Sequence, residues 1–254
     1  MTLLDVRNVS KCFGGLHAVK DVSFAVERGC IKALIGPNGA GKTTLFNLVS
    51  GFLVPDSGTI MFQDRQIQGK NPFEIAQQGM SRTFQHIRLF AHMTALENVM
   101  VGCHVRSRAG FLAGMLNLPW TWHEEDQIKV RALELMEFLG ITNLAYVEAT
   151  NLSYGQQRSV ELCRALASGP VMLLLDEPAA GLNMRETADL ARLFSKIRDL
   201  GITVLIVEHD MSLVMSIADA ILVLSYGEKI ADGTPGAVQS NPEVVKVYLG
   251  EENA

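Results

Sequence analysis

The sequence predicts an α/β fold with an antiparallel β portion at its start and a helical insertion in its middle. Three observations carry that reading. A near-continuously apolar run, IKALI at 31–35, leads through a glycine-rich turn into TTLFNLVSG, whose Leu45, Leu48 and Val49 share one helical face. A second apolar run, VMLLLDEP at 171–178, is followed by a helical stretch and by a further strand, ITVLIVEHD. Between Gln85 and Asn151 the apolar residues recur mainly at helical intervals.

Each element follows from local pattern. LLDVRNV, CFGGLHAV, DVSFAV and CIKALIG alternate β-rich runs with turns and read as antiparallel strands leading to a buried one. Gly51 supplies the stop of the helix after the glycine-rich turn. In MTALENVMVGCHV, Thr94 and Glu97 have capping-box spacing; in EEDQIKVRALELMEFLG, Ile128, Leu133, Leu135, Met136 and Leu139 mark a helix that Gly140 ends. The α/β pattern resumes with VMLLLDE, the helix RETADLARLFSKIRDLG, the strand ITVLIVEHD and a hairpin, AILVLSYGEKIADG, turning at Tyr226 and Gly227. We therefore expect one domain over 1–254, with 1–85 and 152–254 forming the α/β and β core and 86–151 the helical subdomain.

Composition narrows the function. A chain of 254 residues, 48% hydrophobic and 19% charged, buries a core without disulfides. MTLLDVRNVS lacks the basic end and unbroken apolar centre of a secretion signal. AGFLAGMLNLPWTW (109–122) is too short to span a bilayer and is interrupted by Gly114 and Pro119, although it is apolar enough to touch a membrane protein. Cys12, Cys30, Cys103 and Cys163 stand singly, without CxxC spacing, and read as idle or buried thiols in a reducing cytosol. A net charge of −5 with no long basic run argues against a nucleic-acid partner. Arg106 and Arg108 in HVRSR read as a solvated loop or as contacts to an anionic surface.

GPNGAGKT, Gly36 to Thr43, fits G-x-x-x-x-G-K-[ST]. Glycines let backbone N–H groups turn inward around phosphate oxygens, the following helix adds its positive end, Lys42 reaches the β and γ phosphates, and Thr43 can hold Mg²⁺. Asp176 and Glu177 end a buried strand at the sheet's carboxyl edge: Asp176 to support the magnesium shell, Glu177 to orient or deprotonate the attacking water. Gln85 in SRTFQ and His209 in IVEHD end the segments nearest this pocket. Ser153 and Gln156 in NLSYGQQ have cap spacing, yet a helix start with Ser153 and the side-chain-free Gly155 is also an anion site.

The order GPNGAGKT, Gln85, LSYGQ, LLLDEP, His209 resembles the nucleotide-binding subunit of ABC transporters over essentially the whole chain. That resemblance implies a P-loop NTPase with a RecA-like core and an ATPase that works as a pair of cassettes. The nucleotide would be held by Gly36, Pro37, Asn38, Gly39, Ala40, Gly41, Lys42, Thr43 and Thr44, and from the facing cassette by Ser153, Gly155 and Gln156. Phe13 matches the aromatic that stacks on adenine, with a buried strand phenylalanine as the other reading. The resemblance makes Glu177, His209, Gln85 and Lys42 the catalytic group and Thr43, Gln85 and Asp176 the Mg²⁺ ligands, with Gln85 also linking to the membrane subunits.

Finer likeness in FGGLHAV, RTFQHIRLF, MTALENVMVG, DEPAAGLN and NPEVVKVYLGE points to the LivG-type cassettes of branched-chain amino acid importers. It implies ATP and Mg²⁺ as cofactors. The implied partners are a second cassette (a homodimer in isolation, or a LivF-type heterodimer), two membrane permeases and, indirectly, a periplasmic solute-binding protein. The place implied is peripheral, at the cytoplasmic face of the inner membrane. Tyr154 replaces the glycine common in the broader signature, Asn183 a frequent aspartate, and Met184 a frequent proline. The alternatives are a cassette of a urea or short-amide importer and a soluble ABC-type ATPase acting on DNA or ribosomes; intact Lys42, Asp176, Glu177 and His209 oppose a non-hydrolysing cassette.

Overall fold

A computed structural model describes residues 1–85, 87–104 and 119–250; Arg106, Arg108 and most of the 109–122 stretch lie outside the described residues. The chain opens with two long strands, β1 (Thr2–Phe13) and β2 (Leu16–Glu27), joined at Gly14–Gly15. With β4 (Ser57–Phe62) and β5 (Arg65–Gln66) they form an antiparallel sheet in the order β2-β1-β4-β5. CFGGLHAV and DVSFAV are thus not separate strands. The chain reverses inside the first run, where both glycines take positive φ, and passes Asp21 (φ 51) as an irregularity opposite Asn8 (φ 50). Asn8 Nδ2 donates to Asp21 Oδ1 at 2.8 Å, and the Asn8 N–H to Ser23 Oγ at 2.7 Å, so these side chains stabilise a bulge that reads as a turn in the sequence.

The larger sheet contains β3 (Ile31–Ile35), β6 (Met80–Arg82), β7 (Met172–Asp176), β8 (Thr203–Val207), β9 (Ala220–Ser225) and β10 (Glu228–Gly233), ordered β10-β9-β3-β8-β7-β6. All neighbours pair in parallel except β9 with β10. Every residue of β3, β7 and β8 is buried, which explains why these strands read as unbroken apolar runs rather than alternating ones. Alternate side chains enter different cores: Leu34, Leu174 and Leu205 pack towards the antiparallel sheet with Phe46, while Ala33, Leu173 and Ile206 pack with Phe194 and Val214.

The described α-helices are α1 (Lys42–Val49), α2 (Pro72–Gln77), α3 (Ala95–Cys103), α4 (Pro119–Phe138), α5 (Tyr154–Ala167), α6 (Met184–Asp199), α7 (Met211–Ile217), α8 (Pro235–Gln239) and α9 (Pro242–Gly250), and two short 3-10 turns, Thr142–Leu144 and Ala149–Asn151, lie between α4 and α5. Thr94 and Glu97 make the expected capping box on α3, and Gly51 (φ 77) follows the end of α1. A third core joins α3, α4 and α5 through Val99, Met136 and Val160. Helix α5 also contributes Leu162 and Leu166 to the core under the parallel sheet, so it is packed on both sides. The parallel strands end along one edge, and β3, β7 and β8 there deliver the glycine-rich loop, the acid pair and His209 side by side. No described helix is long and apolar enough to cross a membrane.

Candidate functional site

The loop between β3 and α1 is built on two glycines that nothing larger replaces. A Cβ on Gly36 (φ +150) would stand 2.2 Å from Leu224 O, and one on Gly41 (φ +96) 2.2 Å from Ala18 O. Gly41 caps α1 without a side-chain hydrogen bond, which leaves the first N–H groups of that helix for an anion. Lys42 is buried, and its Nζ donates to Gly36 O at 2.6 Å and to Pro37 O at 2.8 Å, holding the ammonium over the loop. Burial pulls its pKa below the usual lysine value, and the Glu177 carboxylate pulls the other way. Asn38 through Thr44 line a cavity of about 330 Å³ together with His17, Glu177, His209 and Tyr226.

Glu177 sits in the left-handed region (φ 48), unusual for a residue with a side chain, and its N–H donates to Val207 O at 2.9 Å. From there its carboxylate spans two partners: His209 Nε2 lies 2.6 Å from Oε1, and Gln85 Nε2 donates to Oε2 at 3.0 Å. Asp176, one residue earlier, is buried and paired with Arg82 at 3.1 Å. Arg82 also donates to Asn47 Oδ1 at 2.7 Å and Ser50 Oγ at 2.6 Å, and lies within 5.4 Å of the ring centres of Phe46, Phe52 and Phe84. Burial pushes the Asp176 carboxyl up and Arg82 draws it down.

Sequence reasoning missed three charged residues of this network. Besides Arg82, they are Arg158, buried on α5 and bonded to the carbonyls of Phe84 and Gln85 at 2.9 Å each, and Glu208. Glu208 Oε1 accepts from the Ala179 N–H at 2.8 Å and Oε2 from the His209 N–H at 3.1 Å, tying the segment after Glu177 to the one carrying His209; burial pushes its carboxyl up. Its signal was an acid directly after the apolar run VLIV, the same cue that marks Asp176.

Ser153, Gly155 and Gln156 stand elsewhere. They line a cavity of about 560 Å³ between α5 and α6, and none of them lines the cavity of the phosphate loop. Ser153 Oγ accepts from the Gln156 N–H, and Gln156 Oε1 from the Ser153 N–H at 2.9 Å, so the capping box is complete. Asn183 caps α6 through Arg185 and Glu186, as an aspartate would, and Met184 opens that helix 92% exposed. Phe13 is not a buried strand residue: it is 47% exposed with Lys11 Nζ 5.8 Å from its ring centre, and it lines neither cavity.

The oxygen donors Thr43 and Asp176, with the Gln85 amide, suit a hard ion such as Mg²⁺. Among the described residues no cluster of three His, Cys, Asp or Glu could hold a metal alone, so such an ion would complete its shell with phosphate oxygens and water.

A phosphate loop facing an acid pair, with a second glycine-bearing helix start set apart on the same α/β frame, defines a nucleotide-binding ATPase cassette. The ABC transporter family matches residues 19–180, and the family of branched-chain amino acid ATP-binding cassette transporters matches residues 228–254. The chain belongs to the ABC transporter family. It is 46% identical over 250 residues to the high-affinity branched-chain amino acid transport ATP-binding protein BraF of Pseudomonas aeruginosa, with 98% of each chain covered. With LivG of Escherichia coli, described in the same words, identity is 43% over 250 residues and coverage again 98% of each. Among solved structures, the ADP conformation of an ATP-binding cassette of an ABC transporter superposes with a TM-score of 0.86 at 35% identity, covering 98% of this chain and 99% of that one. A dimeric cassette in a post-hydrolysis state, bound to ADP and Pi, gives 0.78 at 25% identity over 92% and 99%. The resemblance read from the motifs is borne out.

Proposed function

We propose that this chain is the ATP-hydrolysing subunit that energises import of leucine, isoleucine and valine through membrane permeases. The observation that carries the catalytic part is the grip of Gln85 and His209 on the two oxygens of Glu177, at the mouth of the phosphate loop. The names of the full-length relatives and the C-terminal family match support the solute.

In this reading the 36–44 loop and Lys42 hold the ATP phosphates. Thr43, Asp176 and Gln85 would hold Mg²⁺, which would supply neutralisation of phosphate charge. Glu177 takes the proton of the attacking water while His209 keeps its carboxylate in place and contacts the γ phosphate. Phe13, exposed at the hairpin end, is free to meet adenine. Ser153, Gly155 and Gln156 close over the nucleotide of a second cassette, a copy of this chain or a LivF-type partner, because within one chain they line a different cavity from Lys42. ATP bridging two cassettes favours the closed pair, and loss of the γ-phosphate contacts favours the open one. Residues 86–151, as a helical subdomain between the core segments 1–85 and 152–254, would pass that movement to two permeases, with a periplasmic binding protein upstream and the cassette peripheral on the cytoplasmic face of the inner membrane.

The test is uptake of radiolabelled leucine and urea in cells with and without the chain. Loss of leucine uptake on deletion, restored by the wild-type chain and not by Glu177→Gln, is expected; unchanged leucine uptake with lost urea uptake would overturn the solute assignment.

A further inference from the structure

One guanidinium reaches the backbones of both Gln85 and Glu177. Arg158 is 5% exposed, one turn into α5 from the Ser153–Gln156 start. Its Nη1 donates to Phe84 O at 2.9 Å and to Glu161 Oε2 at 3.1 Å. Its Nη2 donates to Gln85 O at 2.9 Å, to the Tyr154 hydroxyl at 3.2 Å and, more distantly, to Glu177 O at 3.4 Å. Gln85 and Glu177 are the two residues whose side chains meet at 3.0 Å. Their backbones therefore share Arg158 while their side chains share a hydrogen bond.

Tyr154 supplies the other end. It lies between Ser153 and Gly155, its ring 46% exposed, with the Arg158 guanidinium 5.7 Å from the ring centre. The ring also covers Gly181, where an added Cβ would come within 3.1 Å of Tyr154 Cε1. A glycine at this position, as in the wider signature, has neither hydroxyl nor ring. Any shift of the first turn of α5 consequently moves the Tyr154 hydroxyl against Arg158, and Arg158 against the carbonyls of Gln85 and Glu177. Glu177 is sensitive to that displacement because its φ of 48 is held only by what surrounds it.

We propose that Tyr154 and Arg158 form a link by which a nucleotide closing on this chain's Ser153–Gln156 segment sets the Gln85–Glu177 pair of the same chain, so that each ATP site of a cassette pair reports to the other. The inference rests on the shared-seam reading given above. Arg158 and Tyr154 are positioning residues here. The planar fork of Arg158 spans several carbonyls at once, which the point charge of a lysine does not, although a lysine would still neutralise Glu161.

The experiment uses the full-length chain as wild type, Tyr154→Phe and Arg158→Lys, with ATP turnover measured against ATP concentration. Arg158→Lys is expected to lower kcat about tenfold with KM for ATP changed less than about twofold, the pattern of a group that acts after binding. Tyr154→Phe, a loss of one hydroxyl on a half-exposed ring, is expected to keep the fold and to lower the Hill coefficient towards one. The same two substitutions are placed in a Glu177→Gln background and pairing with ATP is followed by light scattering; both are expected to pair as Glu177→Gln does. Wild-type kcat and wild-type cooperativity in both single variants would overturn the link, and wild-type cooperativity in Tyr154→Phe alone would remove Tyr154 from it. Failure of Glu177→Gln itself to pair would overturn the shared-seam reading and the link with it.

Discussion

His209 Nε2 lies 2.6 Å from Glu177 Oε1, so the imidazole and the carboxylate act as one unit at the mouth of the phosphate loop. Gln85 takes the other oxygen. A carboxylate fixed at both oxygens keeps its orientation when water arrives, which is what a general base requires. Glu177→Gln preserves the shape and both neighbours but removes the basic oxygen. Turnover is expected to fall by about 100-fold or more, since about 100-fold is the lower end of the range for a lost general base. ATP affinity should stay within a factor of about two, since the phosphate cradle is untouched. Phosphate release and equilibrium binding of a fluorescent ATP analogue check the two halves, and unchanged release would remove Glu177 from catalysis.

Lys42 has a different fate. Its ammonium already sits over the loop, bonded to Gly36 O and Pro37 O, and in the proposed reading it is a charge the phosphates would meet. Lys42→Ala is expected to weaken ATP binding itself by at least about tenfold, because the lost contact is charge-assisted. Titration calorimetry reads it directly, and wild-type affinity would contradict the cradle.

The glycines separate stability from function. At Gly36 an added Cβ meets the main-chain oxygen of Leu224 at positive φ; at Gly155 it meets side chains alone, the Glu186 carboxylate at 2.9 Å and Leu182 at an ordinary 3.7 Å, on a helical backbone. Gly36→Ala should therefore destabilise the fold by about 2 kcal/mol or more, since neither backbone can give way. Gly155→Ala should leave the melting temperature unchanged or raise it, because alanine favours a helix by about 1 kcal/mol over glycine. On the proposed seam it should nonetheless weaken ATP-dependent pairing, because it crowds the helix start proposed to meet the facing cassette's phosphate. A Gly155→Ala chain that pairs as the wild type does would remove α5's start from the seam.

Much of this site is legible in the order of the amino acids, and the reason is physical. A parallel strand buried on both faces must be apolar throughout, a phosphate loop must be glycine-rich and must open a helix, and those demands write Gly36–Thr43 and Asp176–Glu177 plainly into the chain. Capping boxes at Thr94 and Ser153 are equally local and equally readable. Arg158, Arg82 and Glu208 are not, because their roles come from distant approaches. Arg158 meets Phe84 across 74 positions, and on a helix drawn from sequence alone it looks like a solvated charge. The bulge at Asn8 and Asp21 escaped for a related reason: an Asp at positive φ resembles a turn until its partner across the sheet is known.

The cysteines give a prediction in pH. Burial pushes the Cys163 thiol up to about 12, with Cys103 nearby acting in the same direction, and burial raises Cys103 as well. Cys12 is only half-buried. Since the thiolate is the reactive form, iodoacetamide at pH 8 should label Cys12 while sparing Cys103 and Cys163 until the chain unfolds, as read by mass spectrometry of the digested protein. For stability the sign follows from the direction of the shift. A thiol whose folded pKa lies above its unfolded value, about 8.5, contributes stability that is intact below that value and is lost as pH rises towards the folded one. The Cys163 contribution should thus disappear between about pH 8.5 and the folded pKa near 12. Because lysines and tyrosines also titrate there, the quantity to measure is the difference in melting temperature between wild type and Cys163→Ala. It should shrink or reverse on going from pH 8 to pH 11; a constant difference would show that Cys163 ionises as freely in the folded chain as in the unfolded one.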